Sequence, residues 1–215
     1  MMRSPSILRR AILVIAVTVG SGLLLAGPAL ATTSNQAEEF VQSNIRKGLD
    51  ILNNKKISTD QRRNEFASFL LDLTDMKRIA NFTLGRYRRT ASPTELSDFH
   101  DAFQNYAVAV YQSYFAKYAG QRLKVTGSQT RSSNDFIVST ELIDPNDQSG
   151  RPPLEVDFRV RTDSGKPVVV DFSVAGIWLA LEERDQFTAF LGQNGGNIHT
   201  LIAHLDALAK QFKNG

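Results

Sequence analysis

Leu154-Glu155-Val156-Asp157-Phe158-Arg159-Val160-Arg161 is the stretch on which the fold turns, because apolar and charged residues alternate along it without a break. Successive side chains of a β-strand point to opposite faces. Leu154, Val156, Phe158 and Val160 therefore share one face, and Glu155, Asp157, Arg159 and Arg161 the other. One dry face and one wet face is the pattern of an antiparallel sheet that rests on a core from one side only.

Similar alternation predicts strands near 121–129, 134–143, 153–162 and 167–175. The connections Arg131 to Asn134, Asp144 to Gly150 and Asp163 to Gly165 are rich in turn residues, which makes the four strands a meander. Upstream the period is helical. Phe40, Val41, Ile45, Leu49 and Leu52 recur at helical spacing, and Ser58 with Gln61 offers a capping box for a second helix through Phe66, Phe69, Leu70 and Leu73. A short helix starts near Asp75 and stops at Gly85. The next has Ser92 to cap it, Pro93 in its first turn and Glu95 to complete the box. Its apolar face is Leu96, Phe99, Phe103, Tyr106, Val110 and Tyr114, and Gly120 ends it. Helices return at about 181–191 and 197–212. The expected fold is α+β, a four-stranded antiparallel curved sheet packed against N-terminal and C-terminal helices in one domain, 32–215.

Residues 1–31 read as an export signal. Arg3, Arg9 and Arg10 precede the apolar run Ala11 to Ala26, and Ala29-Leu30-Ala31 is a small-residue exit. The run is shorter than the ~20 residues that a membrane-crossing helix needs, so cleavage after Ala31 is expected. The chain carries 25 basic and 22 acidic residues, and the leader's three arginines account for the excess. A balanced remainder gives no general attraction to nucleic acid. With no cysteine, disulfides and thiolate metal sites are excluded and the domain must stand on its packed core.

Motifs for catalysis are sparse. His199 and His204 are five apart on one helix, where a zinc-binding pair is four apart with a glutamate between them, so with His100 they read as structural or solvated. Asp157 and Asp171 form the one carboxylate-pair question. A loop at Asp163 to Gly165 would set them opposite each other; a loop at Ser164 to Lys166 would pair Arg159 with Asp171 instead. Gly192-Gln193-Asn194-Gly195-Gly196 either holds a phosphate on backbone amides or simply stops a helix. No phosphate loop, dinucleotide fingerprint or nucleophile elbow is present. The basic cluster Lys77, Arg78, Arg86, Arg88 and Arg89, with Tyr87 among it, could meet a lipid phosphate or an acidic partner, or be solvated.

Arg78-Ile79-Ala80, Leu84-Gly85-Arg86-Tyr87-Arg88-Arg89, Ala91-Ser92 and the helix end Tyr114-Phe115-x-x-Tyr118-x-Gly120 follow one another between Asp75 and Gly120. Val156-Asp157, Val170-Asp171, Gly176, Phe187 and Gly195-Gly196 continue the series. In order and spacing this resembles the MlaC, or toluene-tolerance, family of periplasmic lipid-binding proteins. At Val174-Ala175-Gly176-Ile177-Trp178-Leu179 the family pattern has an acidic residue before the glycine and Ser-Leu after it. Ala175 and Trp178-Leu179 stand there instead, which is similar to the hopanoid-associated HpnM branch and leaves the cargo open between phospholipid and hopanoid-related lipid.

The resemblance implies a periplasmic, non-catalytic, monomeric carrier without cofactor or metal. It would pass lipid between an outer-membrane lipoprotein complex and an inner-membrane ABC transporter with MCE-type subunits. It also implies an apolar pocket between sheet and helices that takes the acyl tails and leaves the headgroup exposed. The candidate lipid-facing residues are Leu73, Ile79, Phe82, Leu84, Tyr87, Phe103, Tyr106, Val110, Tyr114, Val138, Val156, Phe158, Val170, Phe172, Val174, Ile177, Trp178, Phe187 and Leu191. Arg78, Arg86, Arg88 and Arg89 are the candidates for headgroup or partner contact. The apolar faces alone favour an ordinary core, since every α+β domain needs such faces. Two other readings are a small periplasmic hydrolase using Asp157 and Asp171, and a non-binding scaffold of a membrane complex with a filled core.

Overall fold

The computed structural model describes residues 27–115 and 118–214. The body of the expected leader, 1–26, lies outside them, as does the question of cleavage. Helix α1 (Gly27–Asn53) begins ahead of the expected cleavage point and is followed by α2 (Thr59–Leu73), α3 (Met76–Thr83), a 3-10 turn (Gly85–Arg89) and α4 (Pro93–Phe115). The strands are β1 (Arg122–Ser132), β2 (Asp135–Ile143), β3 (Leu154–Arg161), β4 (Val168–Val174) and β5 (Ile177–Trp178), and α5 (Leu179–Gln193) and α6 (Ile198–Asn214) complete the order. No helix among the described residues is long and apolar enough to cross a membrane.

Local chemistry explains where these helices begin. The Ser58 hydroxyl accepts from Gln61 N at 3.1 Å while Gln61 returns an oxygen to Ser58 N at 3.0 Å. Ser92 and Glu95 repeat this exchange at the head of α4. Asp75 caps α3 through Arg78 N. Trp178 stands at the N-cap of α5 with no oxygen to offer, and the sheet supplies one: Asp171 Oδ1 accepts from Ala180 N at 2.9 Å.

The sheet is an antiparallel meander, β1-β2-β3-β4-β5. The expected four strands are present, and β5 adds a fifth too short for any periodicity to reveal. Between β4 and β5 the turn residues Ala175 and Gly176 have φ of +51° and +80°. A two-residue turn with both centres left-handed favours Asn-Gly or Asp-Gly. Alanine there is the one non-glycine positive φ among the described residues. Aspartate or asparagine before Gly176 would have a backbone reason that Ala175 lacks.

The β3–β4 register decides the carboxylate question. Arg161 pairs with Val168 and Val160 with Val169, but Arg159 pairs with Asp171, so Val170 is a bulged residue without a partner. Neither loop considered from sequence gives both phases. Asp157 lies opposite Ser173, whose hydroxyl donates to it at 3.0 Å. Asp171 accepts from Phe172 N and Ala180 N. Each carboxylate braces the backbone or a neighbour, and the two do not oppose each other as an acid/base pair.

Two packed regions result. In the helical block, Leu84, Phe99, Leu191, Leu201 and Leu205 are fully buried among α3 to α6. Phe187 meets Phe99 and Phe103 edge to face at ring distances of 6.3 Å. On the apolar face of the sheet, Ala37 and Val41 of α1 pack on Phe136, Val138 and Val160. Tyr111 of α4 against Phe172 of β4, and the backbone bond from Asp75 N to Val169 O, tie the two regions together.

Candidate functional site

The apolar faces of α1 and α2 come down on the sheet without filling the space beneath them. Of the fifteen residues of α2 only Phe69 is buried. The gap is a cavity of about 250 Å³. Its walls are Val41, Ile45, Gly48, Leu49 and Leu52 of α1, Phe66, Phe69, Leu70 and Leu73 of α2, and Leu123, Leu142, Phe158 and Val169 of the sheet. Gly48 sets how closely the two helices approach, since a Cβ there would stand 3.2 Å from the Phe69 ring. Asn44, Tyr118, Gln121 and Arg122 are the polar members of the lining. Three of them sit where β1 begins; Tyr118 accepts from Asn53 at 3.1 Å, Gln121 donates to Asp144 at 3.1 Å and Arg122 is exposed.

A space walled almost wholly by hydrocarbon offers water few partners, and apolar cavities of ~150 Å³ already stay dry and accept apolar guests. The chemistry it supports is shelter for hydrocarbon, at roughly 0.8 kcal/mol for each methylene withdrawn from water.

Of the lipid-facing candidates, Leu73 and Phe158 line this cavity. Leu84, Phe103, Phe187 and Leu191 are packed inside the helical block, with Tyr87 and Tyr106 against it. Val138 is fully buried under α1, and Val156 is buried on the same sheet face. Ile79, Phe82 and Val170 line a different cleft, on the polar face. Phe172 packs at a tilt against Tyr111; Val110, Val174 and Trp178 are half-buried, and Ile177 is 57% exposed. The Tyr114 side chain lies outside the described residues. The walls that α1 and α2 contribute were visible as apolar faces, but nothing in their spacing says that the facing volume is left open.

The basic candidates separate. Arg78 forms a two-pronged ion pair with Asp163 at 2.9 and 3.1 Å, and this pairing with Arg161's holds the Asp163 carboxyl far below the usual carboxylate range. Arg86 lies on the Tyr87 ring, while Arg88 and Arg89 are exposed. His100 bonds Asn81, His199 faces Glu95 and His204 stacks on Phe190. The glycine-rich segment closes α5, with Asn194 N and Gly196 N returning to Phe190 O and Leu191 O.

Comparison with known proteins agrees with this architecture. A solved structure of a phospholipid-binding protein from Ralstonia solanacearum, in complex with a phospholipid, superposes with a TM-score of 0.64 at 21% identity, covering 86% of this chain and 98% of that one. At that identity the likeness is one of fold. The model of the MlaC protein family matches residues 42–207, from within α1 to within α6, and the chain therefore belongs to the MlaC family.

Proposed function

We propose that this protein binds a membrane lipid and carries it through the periplasm, between outer-membrane and inner-membrane components of an Mla-type ABC transport system. The observation that carries the reading is the apolar cavity between α1, α2 and the sheet. Acyl tails would enter it, and Tyr118, Gln121 and the exposed Arg122 would meet the headgroup, a guanidinium being well suited to a phosphate. At about 250 Å³ the cavity is below the ~300–1,000 Å³ of most ligand pockets. Loading a whole lipid would therefore move α2 outward, which its sparse burial permits. The phospholipid bound by the Ralstonia protein of the same fold supports phospholipid as cargo; the Ala175 and Trp178-Leu179 variant supports a hopanoid-related one.

The test is gentle purification from a Gram-negative periplasm, organic extraction and mass spectrometry. Stoichiometric lipid is expected from the parent protein and little from Gly48→Leu, which narrows the cavity against Phe69. Absence of lipid from the parent, or equal loading of both, would overturn the proposal.

A further inference from the structure

A second cleft, of about 330 Å³, lies on the polar face of the sheet, opposite the tail cavity. α3 contributes Arg78, Ile79 and Phe82; β3 contributes Arg159 and Arg161; Val170, Asp171 and Ala180 close it. The two spaces share a wall. Phe158 and Val169 belong to the cavity, while their neighbours Arg159 and Val170 belong to the cleft.

Three guanidiniums are brought together here by carboxylates that are not part of the lining. Asp135, only 6% exposed, accepts from Arg159 Nε and Nη2 at 3.0 and 2.7 Å and from Arg161 at 3.4 Å. Asp163 accepts from Arg161 at 2.7 Å and from Arg78. Asp75 also stands 3.7 Å from Arg78 Nε. Among the residues that line the cleft itself the one carboxylate is Asp171, whose Oδ1 is taken up by two backbone amides. Burial also pushes the Asp171 carboxyl up. Donor capacity remains. Arg159 Nη1 has no bond among the described residues, and Arg161 Nε is buried without a partner. Beside these stand Ile79, Val170, Ala180 and the 39% exposed ring of Phe82. An ion-pair network serving only stability would close on itself, and a site for a bare anion would have no use for an apolar wall.

We infer that this cleft is a second binding site, for a phosphate that carries a short apolar arm, with the phosphate on Arg78, Arg159 and Arg161 and the arm against Ile79, Phe82 and Val170. It is independent of the tail cavity and can be filled at the same time.

The test is titration of the full chain with hexyl phosphate, inorganic phosphate and hexanol at low salt. Calorimetry and Trp178 fluorescence give the readout; Trp178 is the chain's single tryptophan, two residues before Ala180 of the cleft. Saturable binding of hexyl phosphate is expected, with inorganic phosphate about tenfold weaker because it lacks the buried methylenes, and hexanol silent. Arg78→Gln on the rim should weaken hexyl phosphate about tenfold, as loss of a charge-assisted contact does. Phe82→Ala should weaken hexyl phosphate and leave inorganic phosphate unchanged. Gly48→Leu should change neither. Arg159→Lys, which keeps the charge beside Asp135, serves as a second variant and should also weaken binding. Phosphatidylcholine vesicles with and without phosphatidate ask whether a membrane can present the ligand; Arg78-dependent capture by the phosphatidate vesicles supports a lipid source, and its absence with hexyl phosphate binding intact supports a soluble one. Equal affinity for hexyl and inorganic phosphate, indifference to Arg78→Gln, or loss of binding in Gly48→Leu would overturn the inference.

Discussion

The two apolar regions of this protein use the same residue types and end differently. In the block of α3 to α6, leucines and phenylalanines interlock until several have no exposed surface. Under α1 and α2 equally apolar side chains meet across a gap. Hydrophobic patterning thus fixes which faces turn inward, while closure depends on whether opposing side chains complement one another in volume. A solid block against a hollow one gives a rigid support for a compliant one.

Truncation should separate the regions most sharply. Phe187→Ala removes a ring held by Phe99 and Phe103 and is expected to cost about 3–5 kcal/mol in urea unfolding. Leu52→Ala, on a wall that already faces empty space, should cost only about 1 kcal/mol. Similar losses at the two positions would erase the distinction.

Cargo should matter next. Lipid present at a hundredfold its Kd stabilises the folded state by about 2.7 kcal/mol. Delipidation should therefore lower Tm by several degrees in the parent and hardly at all in Gly48→Leu. Calorimetry showing one Tm for loaded and stripped parent protein would mean that the hollow region does not house the lipid.

At the junction of the two regions, Ala175→Asn should stabilise by about 1 kcal/mol, since asparagine tolerates the left-handed backbone that alanine must be forced into. Unchanged stability would show that the turn adjusts without strain.

The subtlest contrast concerns protons. Glu183 is half-buried in the helical block, where its carboxyl accepts from Tyr106 at 2.8 Å, and desolvation raises its pKa above the ordinary 4.5. A raised acid contributes stability that is present below pH 4.5 and is lost as pH rises through its folded value. Glu183→Gln should remove that decline and flatten the stability curve above pH 4.5, as urea midpoints across pH would show. An unaltered slope would place the dependence elsewhere.

Strand phase and helix starts were legible because they rest on local chemistry: alternation along Leu154 to Arg161, and the spacing of a serine hydroxyl from the Gln61 carboxamide and the Glu95 carboxylate at Ser58 and Ser92. The Val170 bulge was not. Val168, Val169 and Val170 are identical, so nothing marks which of them drops out of the pairing. The cavity walls were half legible. Leu49, Leu52, Phe66 and Phe69 announced inward faces, but a gap is a property of two surfaces together, and Gly48 reads as a weak helix residue until Phe69 is seen beside it.

That extra valine makes the sheet a partition between oil and ions only one backbone thick. Because Val170 takes up a place without a partner, Asp171 falls opposite Arg159 among the arginines and Phe172 opposite Phe158 above hydrocarbon. Pairing all three valines in turn would instead set Val170 opposite Arg159, Asp171 opposite Phe158 and Phe172 opposite Asp157, a carboxylate against grease and a phenyl ring among charges, so the protein's sorting of the two environments is written into a surplus of one residue.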